Sequence, residues 1–459
     1  MTRETLAALL RDLAGIFPVG ALSTDPAECL AYGYDNSRRE SQPQAVVFPE
    51  RHAQVVALVE TCRRHRMALT ARGRGTNTTG ASVPVAAGVV ASFERMNRIL
   101  SVDVDNRAVV VEPGVLNDDL QNALATQGFF WAPDPTSAPY CTVGGNLACN
   151  AGGPRAVKYG ASRDNVLALR VVAGNGEAFR CGKPISKGAT GYDLVHLIVG
   201  SEGTLALITE ATLKLTPLAS AKRTLRATYD DVASAAAAVA RIMAQPVTPC
   251  ALEFLDGEAL RLARSHSGDS VPEAGAMLII EVDGETASLA GAVDALSHAA
   301  RGDGLAELRV ATDATEVATL WAARKALSPA LRTLSPNKIN EDVVVPVSRV
   351  PDLVATVKQL SARHNLPIVC FGHAGNGNLH INLLPRDDKE MHAVETCLTA
   401  IFEAVIALDG TLSGEHGIGL AKRDFMDRAL DPAALDLMRR IKSLFDPDDI
   451  LNPGKLLPP

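Results

Sequence analysis

Phe371-Gly372-His373-Ala374-Gly375-Asn376-Gly377-Asn378-Leu379-His380-Ile381-Asn382 joins two apolar runs, Leu366–Phe371 and His380–Leu384. Asn376-Gly377 is the commonest two-residue hairpin turn, because both positions tolerate φ > 0. A hairpin centred there sets His373 directly opposite His380, with Cβ atoms roughly 5 Å apart on one face. Two imidazoles in that relation can share one divalent metal. His380 and Asn382, two apart on a strand, lie on the same face. Further on, Leu412-Ser413-Gly414-Glu415-His416-Gly417-Ile418-Gly419 offers a carboxylate and a third imidazole on a glycine-rich turn. The plain alternative is a set of hydrogen-bonded structural histidines. Three of the ten histidines fall in these two segments, and glycine clusters let backbone approach a ligand closely. The pattern therefore favours a metal or catalytic site.

The remaining composition narrows the class. The chain has 459 residues, 47% hydrophobic and 21% charged, enough for more than one domain. A net charge of −7 and 4% aromatics argue against nucleic acid as a partner. Residues 1–17 show apolar positions at helical spacing with charges interleaved, not the pattern of a signal peptide. No apolar run is long enough to span a bilayer. The eight cysteines (29, 62, 141, 149, 181, 250, 370 and 397) form no Cys-x-x-Cys pair, which argues against a zinc ribbon or iron–sulfur module. They read as reduced thiols of a cytoplasmic protein, with peripheral attachment at the inner face of a membrane compatible.

The first half alternates strand, helix and strand. Residues 45–48 form a strand, Pro49-Glu50 opens a helix to about Arg66, and Leu69 begins the next strand. A tract of small residues follows, Arg72-Gly73-Arg74-Gly75-Thr76-Asn77-Thr78-Thr79-Gly80-Ala81-Ser82-Val83-Pro84. Successive backbone N–H groups in such a loop make a concavity suited to a diphosphate. Thr78 stands where the Rossmann fingerprint needs glycine, and no Gly-Lys-Ser/Thr follows for a P-loop. Residues 99–103 and 108–111 flank Asp105-Asn106 as a hairpin, and Asn117 is expected to cap the helix that follows. A second tract runs through Pro133-Asp134-Pro135-Thr136-Ser137 and Thr142-Val143-Gly144-Gly145-Asn146-Leu147-Ala148-Cys149-Asn150-Ala151-Gly152-Gly153. Gly200-Ser201-Glu202-Gly203-Thr204-Leu205 is the third and runs into a strand that contains Ile208. Three such loops closing on one extended ligand is the economical explanation.

The three tracts resemble the FAD-binding domain of the vanillyl-alcohol oxidase / p-cresol methylhydroxylase type. The motifs Gly372–His380 and Gly414–Gly417 resemble the FAD-linked D-2-hydroxyacid dehydrogenases, a group with D-lactate dehydrogenase, the glycolate oxidase flavin subunit and D-2-hydroxyglutarate dehydrogenase. The resemblance covers nearly the whole chain. It implies an α+β protein. A two-part FAD-binding domain spans residues 1–216, and a substrate domain with an antiparallel sheet spans 217–411. A C-terminal segment, 412–459, returns to the flavin domain. It implies FAD contacts from Arg72, Gly73, Arg74, Gly75, Thr76, Asn77, Thr79, Gly80, Ala81, Pro135, Thr136, Ser137, Thr142, Gly144, Gly145, Asn146, Cys149, Asn150, Gly152, Gly153, Glu202, Gly203 and Ile208, with Asn452 near the isoalloxazine ring. FAD is expected to be non-covalent, since no His or Cys lies between Arg72 and Tyr140.

In the second half, Asp230-Asp231 caps an alanine-rich helix, and strands and helices then alternate as in an antiparallel sheet with helices on one face. Leu320–Ser328 reads as an amphipathic helix. By resemblance, Arg324 and Ser328, four apart on it, bind the substrate carboxylate, which suits a guanidinium fork. Lys338 and Asn382 join the substrate set.

Oxidising a 2-hydroxy acid removes a proton from the hydroxyl and a hydride from Cα, and the hydride goes to flavin. His373, His380 and Glu415 make a two-His, one-carboxylate set of the zinc type, although the spacing alone also fits iron or manganese. His416, left over, is the natural base for the hydroxyl proton. A dicarboxylate substrate needs a second cation beyond Cβ. In relatives that prefer one, a lysine stands where this chain has Asn340, and Glu341 is expected to repel a second carboxylate. The expected substrate is therefore D-lactate or another short D-2-hydroxy acid, with D-2-hydroxyglutarate the alternative. The expected acceptor is a quinone, a cytochrome or an electron-transfer flavoprotein, and a homodimer is compatible. Two rival readings stand: a flavin subunit that works only within a larger complex, and a flavin-free metal hydrolase. The second leaves the three small-residue tracts without a job.

Overall fold

A computed structural model describes residues 3–268, 271–335 and 337–459, without the side chains of Arg3, Ser267, Ala322, Ala323, Lys325, Ser328, Pro329 and Arg332. The chain forms two compact units. The first comprises Met1–Gly153, Gly160–Leu218 and Glu415–Pro459, and the second Pro154–Tyr159 and Ala219–Gly414.

In the first unit, strands Leu22–Ser23, Ala45–Val47, Val89–Ser92 and Leu69–Arg72 form one sheet in that order, the last three parallel. Helix His52–Arg64 makes the crossover from Ala45–Val47 to Leu69–Arg72, the two parallel strands that flank Val89–Ser92. Parallel strands covered on both faces need unbroken apolar runs, and Ala45, Val46, Val47, Val89, Val90 and Ala91 are all fully buried. A second, antiparallel sheet orders Ile99–Asp103, Ala108–Val111, Ala206–Lys214, Val166–Ala173 and Ala178–Gly182. The hairpin around Asp105-Asn106 forms, with Asp103 opposite Ala108. Asn117 does not cap its helix. It lies inside Asn117–Ala125, behind Leu116, and its Nδ2 donates to the Pro133 carbonyl at 3.1 Å. Its amide serves a buried turn instead of the helix end.

The second unit is built on a seven-stranded antiparallel sheet in the order Leu305–Val310, Ala221–Tyr229, Ala276–Gly284, Ala251–Asp256, Ile368–His373, Asn378–Leu383, Ile339–Val344. Asp231 caps helix Val232–Ala244, accepting from Ser234 N at 2.7 Å. Helices lie on both faces, not one. Gly257–Ser267 and Ala314–Leu334 pack Leu260, Leu327 and Leu331 against Leu255, Met277, Ile279 and Phe371. On the opposite face, the Tyr229 hydroxyl donates to Ala300, the last residue of helix Thr286–Ala300, at 2.8 Å. Both sides of this sheet carry apolar residues, so both need cover. Segment Pro154–Tyr159 joins this unit through the Tyr159 hydroxyl and Lys158 ammonium, both donating to Asp283.

Candidate active site

Strand register decides which side chains meet. Ile368–His373 pairs with Ala251–Asp256 through Glu253↔His373 and Leu255↔Phe371. It pairs with Asn378–Leu383 through Phe371↔His380 and Val369↔Asn382. Ile339–Val344 continues the ladder with Asp342↔His380 and Asn340↔Asn382. Directly opposed residues share a face. Glu253, His373, His380, Asp342, Asn382 and Asn340 therefore form one polar band.

This corrects the expected hairpin: His373 lies opposite Glu253, not opposite His380. The connection is longer than a two-residue turn. Ala374–Asn376 makes a single 3-10 turn, and Gly377 follows with φ +71°. A Cβ on Gly377 would stand 1.9 Å from the Val345 carbonyl oxygen, so no other residue fits. Pairing Phe371 with His380 shifts the register by two residues, an even number that keeps both imidazoles on one face. Their ring centres are 5.3 Å apart at 84°, and candidate ligand nitrogens lie within 4.8 Å of each other.

The band is tied together by Glu253, which sequence reasoning missed. It is 1% exposed. Its Oε1 lies 2.5 Å from His373 Nδ1, and its Oε2 accepts from Arg324 Nε at 2.8 Å. Burial pushes this carboxyl up, but His373 and Arg324 outweigh it and hold it down at about 2. Arg324 reaches in from helix Ala314–Leu334, with its guanidinium carbon 4.6 Å from the Phe371 ring centre. Three residues earlier on the same helix, Trp321 Nε1 donates to Glu281 at 2.7 Å. A carboxylate within the apolar run Ala251-Leu252-Glu253-Phe254-Leu255 was the available signal. The Ser328 side chain lies outside the described residues. Lys338 is half-buried just before its strand, with its N–H on the Ser335 carbonyl. Glu341 pairs with Ile381 and alternates to the face opposite Asn340 and Asp342, so it does not look along the band. That removes the repulsion expected from it.

Asp342, fully buried, accepts from the Ser413 hydroxyl at 3.1 Å and from Gly414 N at 2.7 Å. It fixes the segment that ends one residue before Glu415.

In the first unit, the small-residue tracts converge. Asn77 Oδ1 accepts from the N–H of Thr79 and of Ala81, and its Nδ2 donates to the His416 carbonyl at 2.8 Å. Asn452 Nδ2 donates to the carbonyls of Ala81 and Glu202, at 2.9 and 2.8 Å. The Glu202 carboxylate accepts from Ile418 N and Gly419 N, and burial pushes it up to about 7 against those bonds. Gly153 N donates to Glu415 Oε2 at 2.7 Å. Thr142 Oγ1 accepts from Gly145 N, and a Cβ on Gly73 would meet that oxygen at 2.4 Å. Gly152 accepts from Asp134 N, beside Pro135, Thr136 and Ser137. Asn150 is left-handed, Cys149 sits near Asn77, and Gly75, Gly80 and Gly203 have positive φ. Ile208 is buried opposite Val171. Thr76 and Gly144 lie within the same tracts. Arg72 donates to the Tyr34 carbonyl with its guanidinium against Gly75, while Arg74 lines an open cleft with Glu94, Arg95 and Arg98.

A large polar cofactor has a place here. Thr78 Oγ1 and Asn146 Nδ2 are buried without a hydrogen-bond partner. Buried polar atoms are rarely left so, and these two fit a ligand rich in donors and acceptors. For a cation, two imidazoles with one second nitrogen held by a carboxylate are a common donor set.

Comparison with known proteins shows the family. Residues 43–182 match the model of an FAD binding domain, and residues 218–456 that of the FAD linked oxidases, C-terminal domain. The glycolate oxidase subunit GlcD of Bacillus subtilis is 38% identical over 431 residues, spanning 93% of this chain and 92% of that protein. A D-lactate dehydrogenase of Anaerostipes hadrus is 35% identical, spanning 91% of this chain and 90% of its own. The p-cresol methylhydroxylase structure superposes with a TM-score of 0.84 over 100% of this chain and 98% of its own, at 14% identity, which speaks to fold alone. With a two-part FAD-binding architecture and a matching C-terminal domain, the chain belongs to the FAD-linked oxidase family and is an FAD-linked oxidoreductase.

Proposed function

We propose that the protein oxidises a short D-2-hydroxy acid, D-lactate foremost, to the 2-oxo acid and passes the electrons to an external acceptor. The observation that carries this reading is the polar band, with two imidazoles and an arginine gathered on one sheet face in a chain whose relatives include a D-lactate dehydrogenase. FAD, when bound by the first-unit tracts, supplies the hydride acceptor. A divalent cation, zinc by the character of its ligands, would be held by His373, His380 and Glu415 and would supply Lewis-acid polarisation of the hydroxyl.

The chain's own residues do the rest. Arg324 takes the substrate carboxylate on its guanidinium, with Asn382 on the same sheet face as its partner Glu253. His416 accepts the hydroxyl proton as general base. The substrate thus loses one proton to the protein and one hydride from Cα, and leaves as the 2-oxo acid. Asn340, opposite Asn382, is uncharged and does not compensate a second carboxylate, and Lys338 reaches one only if its loop shifts. A buried, unpaired carboxylate costs several kcal/mol, and this favours D-lactate over D-2-hydroxyglutarate. The acceptor, a quinone, cytochrome or electron-transfer flavoprotein, is one that can meet the flavin edge.

The test is kcat/KM for D-lactate, D-2-hydroxybutyrate, D-malate and D-2-hydroxyglutarate with a dye acceptor. D-lactate should lead. A tenfold advantage for the five-carbon diacid would make Lys338 the second clamp, and turnover of none of the four would discard the reading.

A further inference from the structure

We infer that Glu253 is a shared positioning residue: one buried carboxylate orients His373 toward a cation and Arg324 toward a substrate carboxylate. The inference rests on the 2-hydroxy-acid reading above and adds a residue that reading does not require.

The two oxygens of Glu253 serve two different donors. Oε1 lies 2.5 Å from His373 Nδ1, and Oε2 accepts from Arg324 Nε at 2.8 Å. With Nδ1 acting as donor, His373 presents Nε2 for coordination, the arrangement by which a carboxylate fixes tautomer and ring orientation. The same carboxylate holds one edge of the Arg324 guanidinium, and the Phe371 ring 4.6 Å away lies against its carbon. An edge and a face held together set the plane of the fork, so the Nη nitrogens point one way. A bidentate grip on a carboxylate depends on that plane. The Glu253↔His373 register places both partners on the sheet, while Arg324 comes from a separate helix. A lone structural ion pair needs only one of these donors. Here the carboxylate is 1% exposed and both oxygens are used.

Glu253→Gln is the direct test, because an amide offers one acceptor oxygen and one NH2 where both partners bring N–H donors. In zinc-loaded, FAD-containing protein, zinc affinity measured against a chromophoric chelator should fall by roughly 10–100-fold, the usual effect of losing such a partner. Pyruvate binding, read from the flavin absorbance at saturating zinc, should weaken by about tenfold or more. Glu253→Asp keeps the charge with a shorter reach and should recover part of the zinc affinity. Arg324→Met should weaken pyruvate while leaving zinc affinity within about threefold, and on that background Glu253→Gln should no longer affect pyruvate.

A folded Glu253→Gln protein with wild-type affinity for zinc and pyruvate overturns the inference. So does a pyruvate effect that persists undiminished with Met at 324. If neither Glu253 variant folds, Arg324→Met alone decides, and unchanged pyruvate binding there is equally fatal. Wild-type protein that binds no zinc and oxidises no D-2-hydroxy acid defeats the underlying reading instead.

Discussion

Replacing Asp342 by alanine should loosen the segment that leads to Glu415. Asp342 is fully buried and accepts two bonds there, from Gly414 N at 2.7 Å and the Ser413 hydroxyl at 3.1 Å. Alanine leaves both donors without that acceptor, and each such loss costs about 1–3 kcal/mol. The sum, about 2–6 kcal/mol, corresponds to a fall in Tm of roughly 4–24 °C for a unit of this size. Asp342→Asn keeps one acceptor oxygen and should lose about half as much. Differential scanning calorimetry of the FAD-loaded protein reads both. Because Glu415 follows Gly414 directly, zinc affinity should fall alongside stability, by about tenfold in the alanine variant. A melting temperature within about 1 °C of wild type would refute the tether, since losing both bonds to Asp342 cannot cost so little.

Three further outcomes are expected. Acid precipitation should leave the yellow colour in the supernatant, as Cys141 is buried and Cys149 lies beside Asn77; colour in the pellet would mean a covalent flavin. His380→Ala should lose zinc, whereas His416→Ala should keep it and lower kcat by roughly 10²–10⁴; equal zinc loss would reassign His416 as a ligand. The third concerns Lys455, whose Nζ donates to the Ala81 carbonyl at 3.0 Å and to Asn452 Oδ1. Burial pushes its ammonium down to about 7. Between pH 7 and about 10 the unfolded chain then holds a proton that the folded protein has lost, so stability rises with pH in that window and falls as pH drops through 7. Relative to Lys455→Met, wild type should gain up to about 1.4 kcal/mol per pH unit there, and urea midpoints that track each other from pH 7.5 to 9.5 would exclude this.

Much of the fold could be read from local pattern. Residues 45–48, the helix after them and the strand from Leu69 follow from short apolar runs joined by one amphipathic period. The three small-residue tracts are visible because glycine, serine and threonine are rare together inside elements. Glu253 was hidden for the opposite reason. Its strand, Ala251–Asp256, is short and apolar on both sides, and a single acid within it looks like an exception to the pattern. Only the pairing with Ile368–His373, more than a hundred residues away in sequence, shows why it is there.

The histidine turn teaches the same point more sharply. Asn376-Gly377 has the chemistry of a two-residue hairpin, yet the chain spends Ala374–Asn376 on a 3-10 turn and pairs Phe371 with His380. Local turn preference lost to the tertiary fit of Gly377 against the Val345 carbonyl. The site survived the error because the slip is of two residues. A slip of one would have sent His380, Asn382 and their neighbours to the other face, where Leu379, Ile381 and Leu383 are now buried. Glu341 shows what odd spacing does: one residue from Asp342, it leaves the band altogether. Which residues can share a site in such a sheet is set first by parity along each strand, and only then by distance. A reading from sequence can therefore place the right side chains on the right face while misnaming the partner that stands opposite each.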